Sequence, residues 1–162
     1  MLGLGESKLS IYLNDHLAGA TAGVELARRA AGSNRTTSYG PVLEKIAEEI
    51  EEDRQALEEI MDRLSVRTDR VKVGLAWSAE KAGRLKLNGE LIRYSPLSRL
   101  VELEGLSLGV EGKLALWQSL RDTYADDRRL RNIDFEELIK RGRSQRRRLE
   151  RQRRRAAEQA LG

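Results

Sequence analysis

Residues 41–65, PVLEKIAEEIEEDRQALEEIMDRLS, carry the clearest periodic pattern in the chain. Apolar side chains recur there at steps of three and four residues, the spacing that places them on one face of an α-helix. The stripe consists of Leu43, Ile46, Ile50, Asp53, Leu57, Ile60 and Leu64. Pro41 fits the first helical turn, where its missing N–H costs nothing. The stretch therefore predicts a long amphipathic helix with one aspartate in its apolar stripe.

The same periodicity continues on both sides of this stretch and predicts three further long helices. Their ranges are about 7–31, 69–87 and 95–122. A fifth helix is predicted from Phe135, because Asp134 and Glu137 form a capping-box pattern. The third helix is predicted to end at Asn88–Gly89, and a β-hairpin over 84–94 is the alternative interpretation.

The composition favours helices over sheets. Of the 162 residues 35% are charged and 4% are aromatic, and there are two prolines, whereas sheets prefer aromatic and β-branched residues. We expect an all-α protein: an antiparallel four-helix bundle over 1–132, followed by a fifth, Arg-rich C-terminal helix or tail over 133–162. Glycines inside helices cost up to ~1 kcal/mol each relative to alanine, so we expect close helix contacts at Gly19, Gly23, Gly83, Gly105, Gly109 and Gly112.

Several kinds of catalytic site are excluded by residues that the sequence lacks. The chain has no cysteine and one histidine, His16, which rules out disulfides, thiolate zinc sites, cysteine nucleophiles and any site with two imidazoles from one chain. No serine lies in a Gly-x-Ser-x-Gly turn, and there is no P-loop. The sequence identifies no catalytic residue and favours a non-enzymatic protein.

The sequence also lacks the patterns of membrane insertion and secretion. No stretch approaches the roughly 20 apolar residues that a membrane span needs. The start, MLGLGESKLS, has neither the basic region nor the apolar region of a signal peptide. We therefore expect a cytoplasmic location and no membrane partner.

Four long helices with glutamate-rich faces, including the stretch 48–57, resemble the ferritin-like superfamily. The resemblance implies two iron or manganese ions held by Glu-x-x-His on two helices and a glutamate on each of the others. This chain has Glu51-x-x-Arg54 and Glu52-x-x-Gln55 instead, and arginine cannot coordinate a metal. The resemblance therefore implies the fold with the metal site lost and no cofactor.

Two polar residues interrupt the apolar stripes of the first and second helices. His16 and Asp53 lie at similar distances on either side of the connection near 35–36, so in an antiparallel pair they come within one turn of each other. We expect a buried polar pair, since buried polar groups are normally hydrogen-bonded. The alternative is a carboxylate-rich site for iron or manganese, with the candidate ligands His16, Asp53, Glu80, Glu104 and Glu111.

The strongest signal outside the apolar stripes is the basic tail. Residues 140–162 carry a net charge of +8 and residues 1–139 a net charge of −4. The arginines of this tail are Arg141, Arg143, Arg146, Arg147, Arg148, Arg151, Arg153, Arg154 and Arg155. They suit contacts with phosphates or carboxylates, and helix 41–65, which has a net charge of −6, offers an acidic surface.

Three hypotheses about function follow from these observations. The first is a non-enzymatic ferritin-like bundle with an interaction surface, whose partner is a protein, reached by self-association or by docking of the tail on the acidic helix. The second is the carboxylate-rich metal-binding bundle. The third is non-specific nucleic-acid binding through the tail, without base stacking, because the tail has no aromatic residue.

Overall fold

The computed structural model describes residues 7–75 and 93–162, and over these ranges it contains helices and no strand. The long helices are α1 (Lys8–Ser33), α2 (Gly40–Arg63), α3 (Pro96–Thr123) and α4 (Phe135–Leu161). A short 3₁₀ turn, Arg128–Leu130, precedes α4. The prediction of an all-α protein is confirmed.

Polar side chains cap α1, α3 and α4 where the sequence predicts their starts. The Ser7 hydroxyl accepts a hydrogen bond from the Ser10 backbone N–H at the start of α1. At α3, Ser95 and Ser98 cap each other's backbone N–H groups. The Asp134 carboxylate accepts from the N–H of Glu137 at α4. Each cap satisfies a backbone donor that the first turn would otherwise leave unpaired.

The segment between α2 and α3 is described only in part. Residues 70–75 are helical, in agreement with the start of the helix predicted over about 69–87. Residues 76–92 lie outside the described ranges, and with them most of that helix, the proposed end at Asn88–Gly89 and most of the alternative hairpin over 84–94.

The long helices share one apolar core. Helix α1 packs against α2 and α3, and α4 packs against α3 and α2. All seven stripe residues of α2 are buried, Asp53 among them at 1% exposure. The arginine-rich helix α4 contributes the buried side chains Leu138, Ile139, Leu149 and Ala156 to the same core. The basic segment is therefore a packed helix with one apolar face.

A glycine allows α4 to approach α3 closely. A Cβ atom at Gly142 would lie 2.7 Å from Cδ2 of Leu114, too near for unstrained packing. The close contact expected at Gly105 is present, since a Cβ there would lie 3.1 Å from Leu26. Among the described residues, the expected close contacts are absent at Gly19, Gly23, Gly109 and Gly112, where a Cβ would meet no atom within 4 Å. None of the described helices combines the length and the apolar character that crossing a bilayer requires.

Candidate functional site

A buried charged cluster lies where α2, α3 and α4 meet. We call it the Asp53 cluster; its members are Asp53, Lys113, Arg141 and Gln145. Lys113 Nζ donates to Asp53 Oδ2 at 2.5 Å, and Arg141 Nε donates to Oδ1 at 2.8 Å. Gln145 Nε2 donates to Oδ2 at 3.0 Å and its Oε1 accepts from Lys113. The carboxylate is thus held by two cations and an amide, which offsets the cost of burying it.

Burial also affects the lysine of this cluster. It lowers the pKa of Lys113, and the attraction of Asp53 opposes this shift. Lys113 therefore sits where losing its proton is easier than it is in water, while its contact with the Asp53 carboxylate favours the charged form. The cluster is a fixed polar junction between three helices.

His16 lies apart from this hydrogen-bond network. The imidazole is half-buried, and its ring packs edge-on against Tyr12 with the centroids 4.6 Å apart. Burial lowers the pKa of His16, although Asp15 opposes the shift, so the ring is neutral at pH 7. The described partners of the Asp53 carboxylate are Lys113, Arg141 and Gln145 rather than His16, because the cations from α3 and α4 bind a buried carboxylate more strongly than a neutral imidazole does.

His16 and Asp53 nevertheless line one cleft. It lies between α1 and α3 with α2 beneath, has a volume of about 280 Å³, and is mostly apolar. Trp117 forms part of its lining. Counting residues from the α1–α2 connection therefore placed the two side chains at a similar level, but it could not reveal which groups Asp53 would bind.

The other candidate metal ligands do not converge with them. Glu104 and Glu111 are at least half exposed and lie near Arg153 and Arg146 of α4, at 3.9 and 3.2 Å. Over residues 7–75 and 93–162, no three His, Asp or Glu side chains are placed to hold a metal ion. Glu80 lies outside those ranges.

Most arginines of α4 bind acidic or aromatic groups of the chain itself. On the α2 side, Arg148 pairs with Glu49 at 2.5 Å and Arg141 pairs with Glu52 at 2.8 Å as well as with Asp53. The remaining contacts are Arg146 with Glu111, Arg153 and Arg154 with Glu150, and Arg155 with the Ser38 hydroxyl and the Tyr39 ring. These contacts neutralise much of the positive charge that the sequence assigns to the tail.

Three arginines of α4 are different, and we call them the outer arginine row: Arg143, Arg147 and Arg151. All three are exposed, and none has a hydrogen bond, ion pair or ring contact with the described residues. They follow one another at four-residue intervals on one face of α4. At the α-helical rise this places them about 6 Å apart in a row about 12 Å long.

A second polar network, at the other end of α2, was not predicted from the sequence. The buried Asn34 side chain donates to the Tyr94 hydroxyl at 2.7 Å and accepts from Arg99 at 2.6 Å. The Tyr94 hydroxyl donates to Glu102, and burial together with this carboxylate raises the pKa of Tyr94. The Tyr39 ring lies between the guanidiniums of Arg99 and Arg155, each 4.5 Å from its centroid.

The sequence contained only a partial signal for these residues. Asn34 caps the C-terminus of α1, a position that asparagine tolerates well, but its side chain also joins elements that lie far apart in sequence. Lys113 and Gln145 occupy positions where a polar side chain on a helix is unremarkable. Only the contact with Asp53 gives them a role.

Comparison of the chain with protein-family models, curated proteins and solved structures found no match. A proposal about function therefore depends on the geometry of the Asp53 cluster, the cleft and the outer arginine row.

Proposed function

We propose that the protein is a non-enzymatic helical bundle that binds the phosphate backbone of duplex nucleic acid through the outer arginine row. One observation carries this proposal: Arg143, Arg147 and Arg151 are exposed and lack described partners on a helix whose other arginines are mostly engaged. Guanidinium groups bind phosphate oxygens with two parallel hydrogen bonds. Groups without an internal partner can do so without breaking an existing ion pair.

The setting of the row suits a regular anionic surface. The apolar face of α4 is fixed in the core by Leu138, Leu149 and Ala156, so the outward arginines are held on a rigid helix. Preorganised contacts lose less entropy on binding than contacts from a flexible tail. The apolar face is also not available for insertion into a lipid surface, since it is already packed.

The composition of the exposed face favours nucleic acid over a protein partner. Its basic residues are Lys140, Arg143, Arg147, Arg151 and Arg154, and the exposed Glu136 and Glu158 lie towards its two ends. Protein interfaces have an apolar, often aromatic centre, and this face offers none. The lack of aromatic residues also makes base stacking unavailable, so binding depends on phosphates and is independent of sequence.

We also propose an antiparallel four-helix bundle of the ferritin-like kind, without its metal site. Its fourth helix is α4, whereas the sequence patterns predict a bundle over 1–132 with a separate fifth helix over 133–162. The contacts support opposite directions for neighbouring helices, because residue numbers rise on one helix as they fall on the other. The pairs are Arg29–Glu102 and Leu26–Gly105 for α1 and α3, and Arg146–Glu111 and Arg153–Glu104 for α3 and α4.

In that arrangement α2 and α3 run in the same direction, which requires one long crossover connection. Residues 64–95 supply that length, and a single crossover is a feature of ferritin-like bundles. An experimental structure with α2 and α3 in opposite directions would contradict this arrangement.

The nucleic-acid proposal is tested by the salt dependence of binding to a random-sequence DNA duplex, followed by fluorescence anisotropy. We expect the triple variant Arg143→Gln, Arg147→Gln, Arg151→Gln to bind more weakly. The slope of log affinity against log salt concentration should also become less steep, by about 2 to 3 in magnitude. Each phosphate contact contributes ~0.9 to this slope. Point substitutions are preferable to deleting residues 140–162, because deletion would remove buried core side chains.

A matched control has the same change in net charge at exposed arginines elsewhere: Arg35→Gln, Arg67→Gln, Arg70→Gln. Its slope should stay close to that of the wild type. Equal losses in both triple variants, or no binding of the wild type at ~50 mM salt, where backbone contacts are strongest, would refute the proposal. Binding of an acidic protein but not of the duplex would point to a protein partner instead.

A further inference from the structure

Three carboxylates lie along the edge of the outer arginine row that faces α3. We call them the acidic edge: Glu104 and Glu111 of α3 and Glu150 of α4. Glu150 is the only acidic residue of α4 between Glu137 and Glu158. It follows Arg147 by three residues, so the two side chains are neighbours on the helix surface.

The α3 members of the acidic edge bind two arginines of α4 across the helix interface. Arg146 pairs with Glu111 at 3.2 Å, and Arg153 lies 3.9 Å from Glu104. Arg146 follows Arg143 of the outer arginine row by three residues, so it borders the row on the helix surface. Its guanidinium is thus close to the row but held by a carboxylate.

Glu150 binds two further guanidiniums within α4. Arg153 and Arg154 each pair with its carboxylate at 2.7 Å, and they lower the pKa of Glu150 to about 2. The carboxylate is therefore ionised at every physiological pH. Arg154 follows Arg151 by three residues, so Glu150 also occupies a neighbour of the outer arginine row.

The ion pairs on the two sides of α4 differ in burial. On the α2 side, Arg148 and Glu49 are 19% and 13% exposed, so their pair is part of the packed interface. On the α3 side, Arg146 and Glu111 are 50% and 61% exposed. Exposed ion pairs contribute little to stability, so an arginine of the α3 side can exchange one anion for another at little cost.

A carboxylate and a phosphate compete for the same guanidinium, because each can accept two parallel hydrogen bonds from it. The acidic edge therefore occupies donors that phosphate could use. Without these carboxylates, three more guanidiniums would join the outer arginine row in one continuous basic surface. They are Arg146, Arg153 and Arg154.

We propose that the acidic edge restricts phosphate binding to the outer arginine row, by holding the three arginines that would extend the binding surface. This inference rests on the proposed binding of nucleic acid. Glu104, Glu111 and Glu150 act as internal competitors of phosphate, and they repel a phosphate that approaches from the α3 side. Binding is therefore weaker and less salt-dependent than the charge of residues 140–162 alone would produce.

The test uses the random-sequence DNA duplex and the anisotropy assay described above. The edge variant combines Glu104→Gln, Glu111→Gln and Glu150→Gln, which keep the size of each side chain and remove its charge. We expect tighter binding than that of the wild type at equal salt. The slope of log affinity against log salt concentration should become steeper by about 2 to 3 in magnitude, since each of three released arginines contributes ~0.9.

A matched control makes the same change in net charge at acids that pair with arginines outside α4. It combines Glu25→Gln, Glu58→Gln and Glu59→Gln, whose partners are Arg28, Arg54 and Arg63. Its slope should stay close to that of the wild type. A second control adds Arg146→Gln, Arg153→Gln and Arg154→Gln to the edge variant, and its slope should return to the wild-type value.

Circular dichroism and thermal melting show whether each variant is folded. If the edge variant does not fold, Glu150→Gln alone replaces it, with an expected increase of about 1 to 2 in the magnitude of the slope, because this carboxylate holds two arginines.

The possible results separate this inference from the proposed function. Binding by the wild type with an unchanged slope in the edge variant would overturn the inference alone. Equal steepening in the edge variant and the matched control, or a slope that stays steep after the three arginine substitutions, would also overturn it. Binding by the edge variant but not by the wild type would support the inference and refute the proposed function. Absence of binding by both proteins would refute both.

Discussion

Replacing Asp53 by alanine removes the buried carboxylate that the cations Lys113 and Arg141 share. Lys113 and Gln145 donate to Oδ2, and Arg141 donates to Oδ1, so the substitution leaves all three donors without this acceptor. Breaking a buried ion pair by removing one partner costs ~3–5 kcal/mol. Unless the polar groups find new partners, the Asp53→Ala variant is less stable by that amount.

Two features of the cluster place the expected loss at the lower end of this range. Arg141 keeps its 2.8 Å ion pair with Glu52 and is partly exposed. Glu52 and water therefore still stabilise its charge when the Asp53 carboxylate is removed. Lys113 loses its proton more readily than an exposed lysine, since burial already lowers its pKa. We therefore expect about 3 kcal/mol, which corresponds to a decrease in Tm of about 6–12 °C for a domain of this size.

Urea denaturation followed by circular dichroism measures this loss, and two further variants identify its cause. Glu48→Ala removes an exposed carboxylate of α2 that pairs with Lys45 and should cost less than about 1 kcal/mol. The double variant Asp53→Leu, Lys113→Leu should recover part of the loss, because it removes both charges at once. A loss below 1 kcal/mol for Asp53→Ala, or strictly additive effects of the two leucine substitutions, would refute this account.

Three further predictions concern other parts of the structure. Burial lowers the pKa of His16 below its unfolded value of 6.5, so the unfolded chain binds the proton more readily than the folded one. The free energy of unfolding should therefore decrease as the pH falls below about 6.5. The decrease should be smaller in the His16→Gln variant. Gly112→Ala should stabilise the protein by up to ~1 kcal/mol. Gly142→Ala should destabilise it by ~1–3 kcal/mol, because the added methyl group would overlap the Leu114 side chain. Chemical denaturation measures both changes. Exhaustive chelation should leave helicity and Tm unchanged, and a decrease above about 10 °C would show that metal stabilises the fold.

The helices were predictable from the sequence because their signals are local. The stripe of α2 depends on a spacing of three and four residues, and the starts of α3 and α4 depend on Ser95 and Asp134, whose caps act within one turn. These features need no knowledge of distant residues. Their positions in the structure agree with the sequence patterns.

The candidate site was less predictable because its contacts join residues far apart in the chain. Asp53 was correctly singled out as a polar residue in an apolar stripe, but its partners lie on α3 and α4. The charge of residues 140–162 indicated a basic tail that could dock on the acidic helix, and Leu149 and Ala156 bury one face of that tail helix. The glycines of α1 and α3 give the same sequence pattern whether helices touch or leave a cleft.

The long separation between α2 and α4 has a consequence for synthesis of the chain. Asp53 and Arg141 are 88 residues apart, so at ~5–20 residues per second a ribosome takes roughly 4–18 s to add the second after the first. During that interval the apolar stripe of α2 has no α4 to cover it, and the Asp53 carboxylate has no arginine. Nascent chains that end before α4 should therefore bind chaperones that recognise exposed apolar helices, and release should coincide with the emergence of α4.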